Sequence, residues 1–222
     1  MALHREMETQ LNAEFTVTAA AHLSGPYSIS GVMRDLILTD KVYFYPAYLP
    51  NTILSYQTVY GNLYNQLSEV FKEPYATKIN QYYTGVIDLD QLNTQLINLL
   101  VANEGASRPL KMLQPAMVQA VETDPDHPFN IALRDNDVYA WAPKAPTRIF
   151  YCTADDQVPY QNSIVARDTM TALGAANLLA QDVNATADHG TCFTPAMTST
   201  LFFFVAYQQI QTYVSTLRTL SD

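Results

Sequence analysis

Along most of the chain the apolar positions recur at helical rather than strand spacing. Leu3 and Met7 stand four apart in a segment that is helical from Met1 onward with no capping residue before it, so they share one face. Residues 15–22 are β-branched and then small, and they run into Ser24, Gly25 and Pro26, which predicts a buried strand ending in a turn. From 31 to 144 the texture changes to short helical patterns broken by Pro and Gly, dense in tyrosine. Leu63, Leu67, Val70 and Phe71 fall on one helical face there, and Leu89, Leu92, Leu96, Leu99 and Leu100 on another. Residues 147–152 and 177–183 read as two further strands. Between them Asn162 or Ser163 caps a helix running to Leu173, with Ala166, Met170 and Leu173 as its stripe and Gly174 as its stop. A last helix spans about 195–217, and its apolar run at 201–206 reads as buried.

Strands alternating with helices imply an α/β fold with about three parallel strands and flanking helices. Residues 1–30 and 145–222 supply this core, and 31–144 form a helical insertion. In such sheets ligand chemistry sits in the loops at the carboxyl ends of strands.

Composition removes some function classes. The chain has 222 residues and a net charge of -9, which argues against nucleic acid and against an anionic membrane surface. No apolar run approaches the roughly 20 residues that cross a bilayer, and the N-terminus has no signal-peptide pattern. Cys152 and Cys192 do not make a disulfide framework; two free thiols are the expectation, with a bridge between them as the alternative. No His, Cys, Asp or Glu set has metal spacing, so neither metal nor cofactor is expected.

Two loop stretches carry the chemistry. Thr153, Ala154, Asp155, Asp156, Gln157, Val158 and Pro159 follow one predicted strand; Ala187, Asp188, His189, Gly190 and Thr191 follow the next. Parallel strands joined by one helical crossover bring these loops side by side. A carboxylate beside an imidazole is the orienting half of a catalytic triad: the acid fixes the tautomer, and the imidazole takes the nucleophile's proton.

The order acid then histidine after the last strands resembles the α/β-hydrolase superfamily, in particular secretory-lipase-like and esterase-like members. The resemblance implies Asp155 as triad acid, His189 as base and 31–144 as a helical lid. It implies an ester or other acyl substrate and a complete protein that is secreted or periplasmic. The sequence departs from that pattern at one point: it contains no G-x-S-x-G nucleophile elbow. The nearest text, Gly25 to Gly31 around Ser28 and Ser30, has the wrong spacing and follows the wrong strand. The expectation is therefore a C-terminal portion of a serine ester hydrolase that is inactive alone. The rival readings are a non-catalytic binding module and, in a complete protein, peptidase or acyltransferase activity.

The remaining candidates have plainer expectations. Tyr27 and His22, in and before the turn after the first strand, are candidates to touch substrate. Asp156 and Asp188 read as solvated or turn-forming acids. His4 and His127 read as surface residues, Trp141 as a packing anchor, and Asn184-Ala185-Thr186 as a glycosylation sequon. A first strand without its neighbour leaves an unpaired edge, which predicts a homo-oligomer.

Overall fold

The structure is a computed structural model; it describes the backbone of residues 1–221 and the side chains of residues 1–210. The described residues form one three-stranded sheet and nine α-helices: α1 (Ala2–Thr9), β1 (Ala20–Leu23), α2 (Arg34–Leu38), α3 (Tyr48–Tyr60), α4 (Tyr75–Tyr83), α5 (Leu89–Glu104), α6 (Pro115–Thr123), α7 (Pro128–Asp135), β2 (Thr147–Tyr151), α8 (Gln161–Ala172), β3 (Leu178–Asp182) and α9 (His189–Ser221). The chain divides into two compact units, residues 1–28 with 138–222, and residues 29–137.

The sheet is parallel throughout, in the order β1-β2-β3. Thr147 opposes Ala20 on one side and Leu178 on the other. This common register ends β2 and β3 at the same level, which is what brings the loops after them together. Ile149, at the centre of the middle strand, is fully buried. β1 is shorter than the eight residues expected of it. β2 starts directly after Pro146, which has no amide hydrogen, and the Pro146 carbonyl accepts from Ala20. Upstream of Ala20 there is no ladder to join, and residues 15–19 are largely exposed.

The face that α1 buries is the polar one, a correction to the Leu3–Met7 expectation. Leu3 is exposed, whereas His4 and Glu8 are buried. Glu8 accepts hydrogen bonds from the amides of Lys144 and Ala145 at 2.7 and 2.9 Å. His4 sets Nδ1 3.2 Å from His22 Nε2 and meets the Trp141 ring edge-on. His4 is thus no surface residue: its partners on β1 and beside Trp141 make burial tolerable. Trp141 is buried and donates to the Val138 carbonyl. Gly25 lies under the Tyr27 ring, where a β-carbon would stand 2.4 Å from Cε1, so any larger residue would force the ring to shift.

The unit 29–137 is helical, with a continuous apolar core. Leu92, Leu96 and Leu100 of α5 are fully buried there with Val70, Phe71, Ile79 and Met112. α5 opens on a reciprocal capping box between Asp88 and Gln91 and stops at Gly105, whose φ of 77° suits glycine. Leu63, Leu67, Val70 and Phe71 reach this core without sharing a helix. Gln57 Oε1 accepts from the amides of Leu63 and Tyr64, only residues 67–69 form a single 3₁₀ turn, and Phe71 pairs as an isolated bridge with Leu113. His127 is the N-cap of α7, its ring accepting from the Phe129 amide.

Four expectations about the last helices also change. Asn162 and Ser163 lie inside α8 rather than capping it; the Asn162 amide accepts from Ser28 N and donates to Pro159 O, tying the segment after β1 to the helix start. Leu173 is exposed and ends the helix, leaving Ala166 and Met170 as its buried stripe. α9 begins six residues early with Pro195 inside it, because Asp188 accepts from the amide and hydroxyl of Thr191 and starts the first turn. Its buried positions among the described residues are Cys192, Ala196 and Thr200, a narrow stripe of small residues. Phe193, Leu201, Phe202 and Val205 are exposed, so the apolar run at 201–206 is not buried.

The buried His4–His22 pair predicts an acid-dependent stability. Burial pushes the His22 imidazole down to about 3, with repulsion from the N-terminal ammonium and from His4 adding to it. Below the ordinary imidazole value of about 6.5 the unfolded chain takes up a proton that the folded chain refuses. Stability should therefore fall with pH from about 6.5 downward, by up to about 1.4 kcal/mol per pH unit from this group. Denaturant titrations should show a shallower pH slope across that window for His22→Gln than for the wild type.

Candidate active site

The loops at the carboxyl ends of β2 and β3 carry Asp155 and Asp156 after the first and Asp188 and His189 after the second. After β2 the chain turns at once: the Asp155 amide donates to the Cys152 carbonyl, and Asp155 Oδ1 accepts from the amides of Gln157 and Val158 at 3.0 and 2.8 Å. This self-closed turn fixes the carboxyl group, whose side chain is 1% exposed. After β3 the Asp188 side chain caps α9, so His189 is the first residue of that helix.

His189 Nδ1 lies 2.8 Å from Asp155 Oδ2. A carboxylate can only accept, so Nδ1 carries the hydrogen and Nε2 of the neutral ring presents its lone pair. Among the described residues Nε2 has no hydrogen-bond partner, and the side chain is 33% exposed. The hydrogen bond to Asp155 holds the imidazole above its ordinary proton affinity; partial burial opposes this, and the charges of Asp155, Asp156 and Asp188 add to it. The pair can therefore accept a proton at Nε2 and stabilise the imidazolium that results, which is general-base chemistry.

The neighbouring acids have structural work. Asp156 is exposed, and its Oδ1 also accepts from the His189 amide at 3.2 Å, at the start of α9. Asp188 supplies the cap already described. Thr153 donates to Asp182, a further tie between the β2 and β3 ends. Asn184 and Thr186 form a local turn in which Asn184 Oδ1 accepts from both the amide and the hydroxyl of Thr186.

His22 and Tyr27 are placed differently. Both are buried, their rings 6.3 Å apart, and among the described residues neither bonds to Asp155 or His189. The Tyr27 hydroxyl is buried without a hydrogen-bond partner, and burial raises its proton affinity. No group of three or more metal-ligating side chains occurs among the described residues, and none of their helices is long and apolar enough to cross a membrane.

Cys152 and Cys192 form a disulfide with Cα atoms 6.0 Å apart, where two free thiols were expected. Each half sits three residues from one member of the pair: Cys152 before Asp155, Cys192 after His189. That symmetric spacing, on two loops expected side by side, was the signal available in the sequence.

The sequence matches no family profile and no curated protein. Solved structures do match. The rice cell wall degrading esterase LipA from Xanthomonas oryzae aligns with a TM-score of 0.69 at 23% identity, over 93% of this chain and 53% of that one. A protein named as a hydrolase from Legionella pneumophila subsp. pneumophila str. Philadelphia 1 aligns with a TM-score of 0.77 at 21% identity, over 91% and 52%. Candida antarctica lipase A in its closed state aligns with a TM-score of 0.63 at 14% identity, over 92% and 45%. The chain thus shares the α/β fold of these structures, and it spans about half their length.

The pairing of Asp155 with His189 has a direct readout. In Asp155→Asn the acceptor loses its charge, so the His189 imidazole should lose proton affinity and titrate at lower pH than in the wild type, towards about 6.5. The Cε1 proton followed by NMR across pH measures it. An unchanged titration would show that the 2.8 Å contact does not govern the ring.

Proposed function

We propose that this chain carries the acid and the base of a serine ester hydrolase, and that the serine and the oxyanion hole come from residues outside these 222. The observation that carries the reading is the buried Asp155 carboxylate on Nδ1 of a half-exposed His189 whose Nε2 is free among the described residues. The hydrolase fold and the aligned structures, about twice as long, support it.

In this reading Nε2 of His189 takes the serine proton as the hydroxyl attacks the ester carbonyl. Asp155 steadies the imidazolium, and the proton then passes to the leaving alcohol. Water repeats the sequence on the acyl-enzyme and releases the acid. The helical unit 29–137 is the lid insertion, and its apolar, tyrosine-rich make-up suits an acyl substrate. The disulfide supports an oxidising compartment, secreted or periplasmic. A second reading, a non-catalytic module on a hydrolase fold, is favoured by one fact: the sequence lacks G-x-S-x-G.

Turnover of p-nitrophenyl esters separates the two. The 222-residue chain alone should show no turnover that depends on His189. A chain extended upstream through a G-x-S-x-G elbow should show turnover that falls by about 10³-fold or more in His189→Ala and in Asp155→Asn. Activity of the extended chain that survives His189→Ala would refute the assignment, and an extended chain without an elbow would establish the module.

The free outer edge of β1 and the exposed apolar side of α9 support self-association of this chain. Light scattering should report a dimer or larger species; a monodisperse monomer would overturn this.

A further inference from the structure

Asp155 and His189 are on different segments, joined by their own contact, by Asp156 on the His189 amide and by Thr153 on Asp182, all of them hydrogen bonds. The helix carrying His189 packs through Cys192, Ala196 and Thr200, side chains too small to bury much apolar area. Its outward side, including Phe193 and Leu201, is exposed. The segment carrying Asp155 hangs from the Cys152 carbonyl through the Asp155 amide at 3.2 Å. The first turn of α9 closes in the same way, the Cys192 amide donating to the Asp188 carbonyl at 2.9 Å. The residue at which each turn is anchored is therefore a cysteine, and the two cysteines are bonded to each other. Around the bridge, Cys152, Ala187 and Cys192 form a small buried cluster, with Ser24 Oγ, just past β1, 3.6 Å from Cys192 Sγ.

We propose that Cys152 and Cys192 are positioning residues of the candidate site, their disulfide fixing the distance between the Asp155 turn and the first turn of α9 so that Nδ1 of His189 stays on Oδ2 of Asp155. Stabilisation of the fold as a whole is the ordinary role of a bridge closing a 40-residue separation. The claim made here is local: with the bridge gone and the fold intact, the helix start drifts and the Asp155–His189 contact loosens. The consequence for turnover rests on the hydrolase reading; the consequence for the pair does not.

The test uses the full 222-residue chain. In Cys152→Ala/Cys192→Ala, the His189 Cε1 titration should move down by about one pH unit, tenfold in proton affinity. The Nδ1 proton should exchange faster. Cys152→Val/Cys192→Ala keeps apolar volume at the site and serves if the first variant does not fold. An unshifted His189 titration in a folded variant overturns the proposal. Failure of both variants to fold also overturns it, since the bridge then serves stability alone. In an extended, active chain the same substitutions should lower kcat with KM nearly unchanged, and should move the acid limb of the pH–rate profile to lower pH. An extended chain without ester turnover would defeat the hydrolase reading and leave the NMR result standing.

Discussion

A carboxylate out of contact with water must have its lone pairs filled, and Asp155 meets that requirement in a way that organises its surroundings. An uncompensated buried charge costs several kcal/mol, enough to matter against the whole stability of a domain. Two of the acceptor sites of Asp155 are taken by amides of its own turn, which closes the turn; the next is taken by the ring of His189, which draws the start of α9 against the end of β2. The shared end point of β2 and β3 supplies the approximate proximity, and the carboxylate supplies the final geometry. Asp156 and Asp188 then hold the backbone on either side of the imidazole, so three neighbouring acids act on one histidine without competing for its Nδ1.

The two units are held together by different physics. Residues 29–137 close on leucine, isoleucine and aromatic side chains in a conventional apolar core. The sheet unit has fewer such residues and relies on satisfied polar ties: Glu8 on the amides of Lys144 and Ala145, His4 against His22, Asn162 between Ser28 and Pro159. Each is a directional contact that fails if its segment shifts by an ångström, whereas apolar packing tolerates small slides. A site that depends on the spacing of two loops is better served by the first kind of contact.

The fold class was legible because the strand at 147–151 and the strand at 178–182 are bounded by turn chemistry and separated by one helix, and because Asp155 and His189 follow them directly. What stayed hidden was whatever depends on a partner far away in sequence. The start of β1 is set by Pro146. The inward face of α1 is set by acceptors and rings at 22, 141, 144 and 145, against the apolar pattern of the helix itself. The early start of α9 is set by a cap four positions before Cys192, and the helix runs on through Pro195, its seventh residue, so the proline does not mark its beginning. The disulfide was missed because two loops lying side by side do not by themselves set the 6.0 Å between the Cα atoms of Cys152 and Cys192. The burial expected at 201–206 followed from hydrophobicity alone, which says that a face prefers cover and not that cover is present.

That uncovered side of α9 also bears on how the molecule behaves in bulk solution. Apolar side chains such as Phe193, Leu201 and Phe202 attract any like surface they meet, and what limits growth beyond small assemblies at neutral pH is the excess of acidic groups, -9 in net charge. The sequence isoelectric point is about 4.7, so mutual repulsion vanishes in mildly acidic buffer while the attraction persists. Colloidal solubility of this chain is therefore a contest between one helix face and the charge of the whole surface, and acidity decides it.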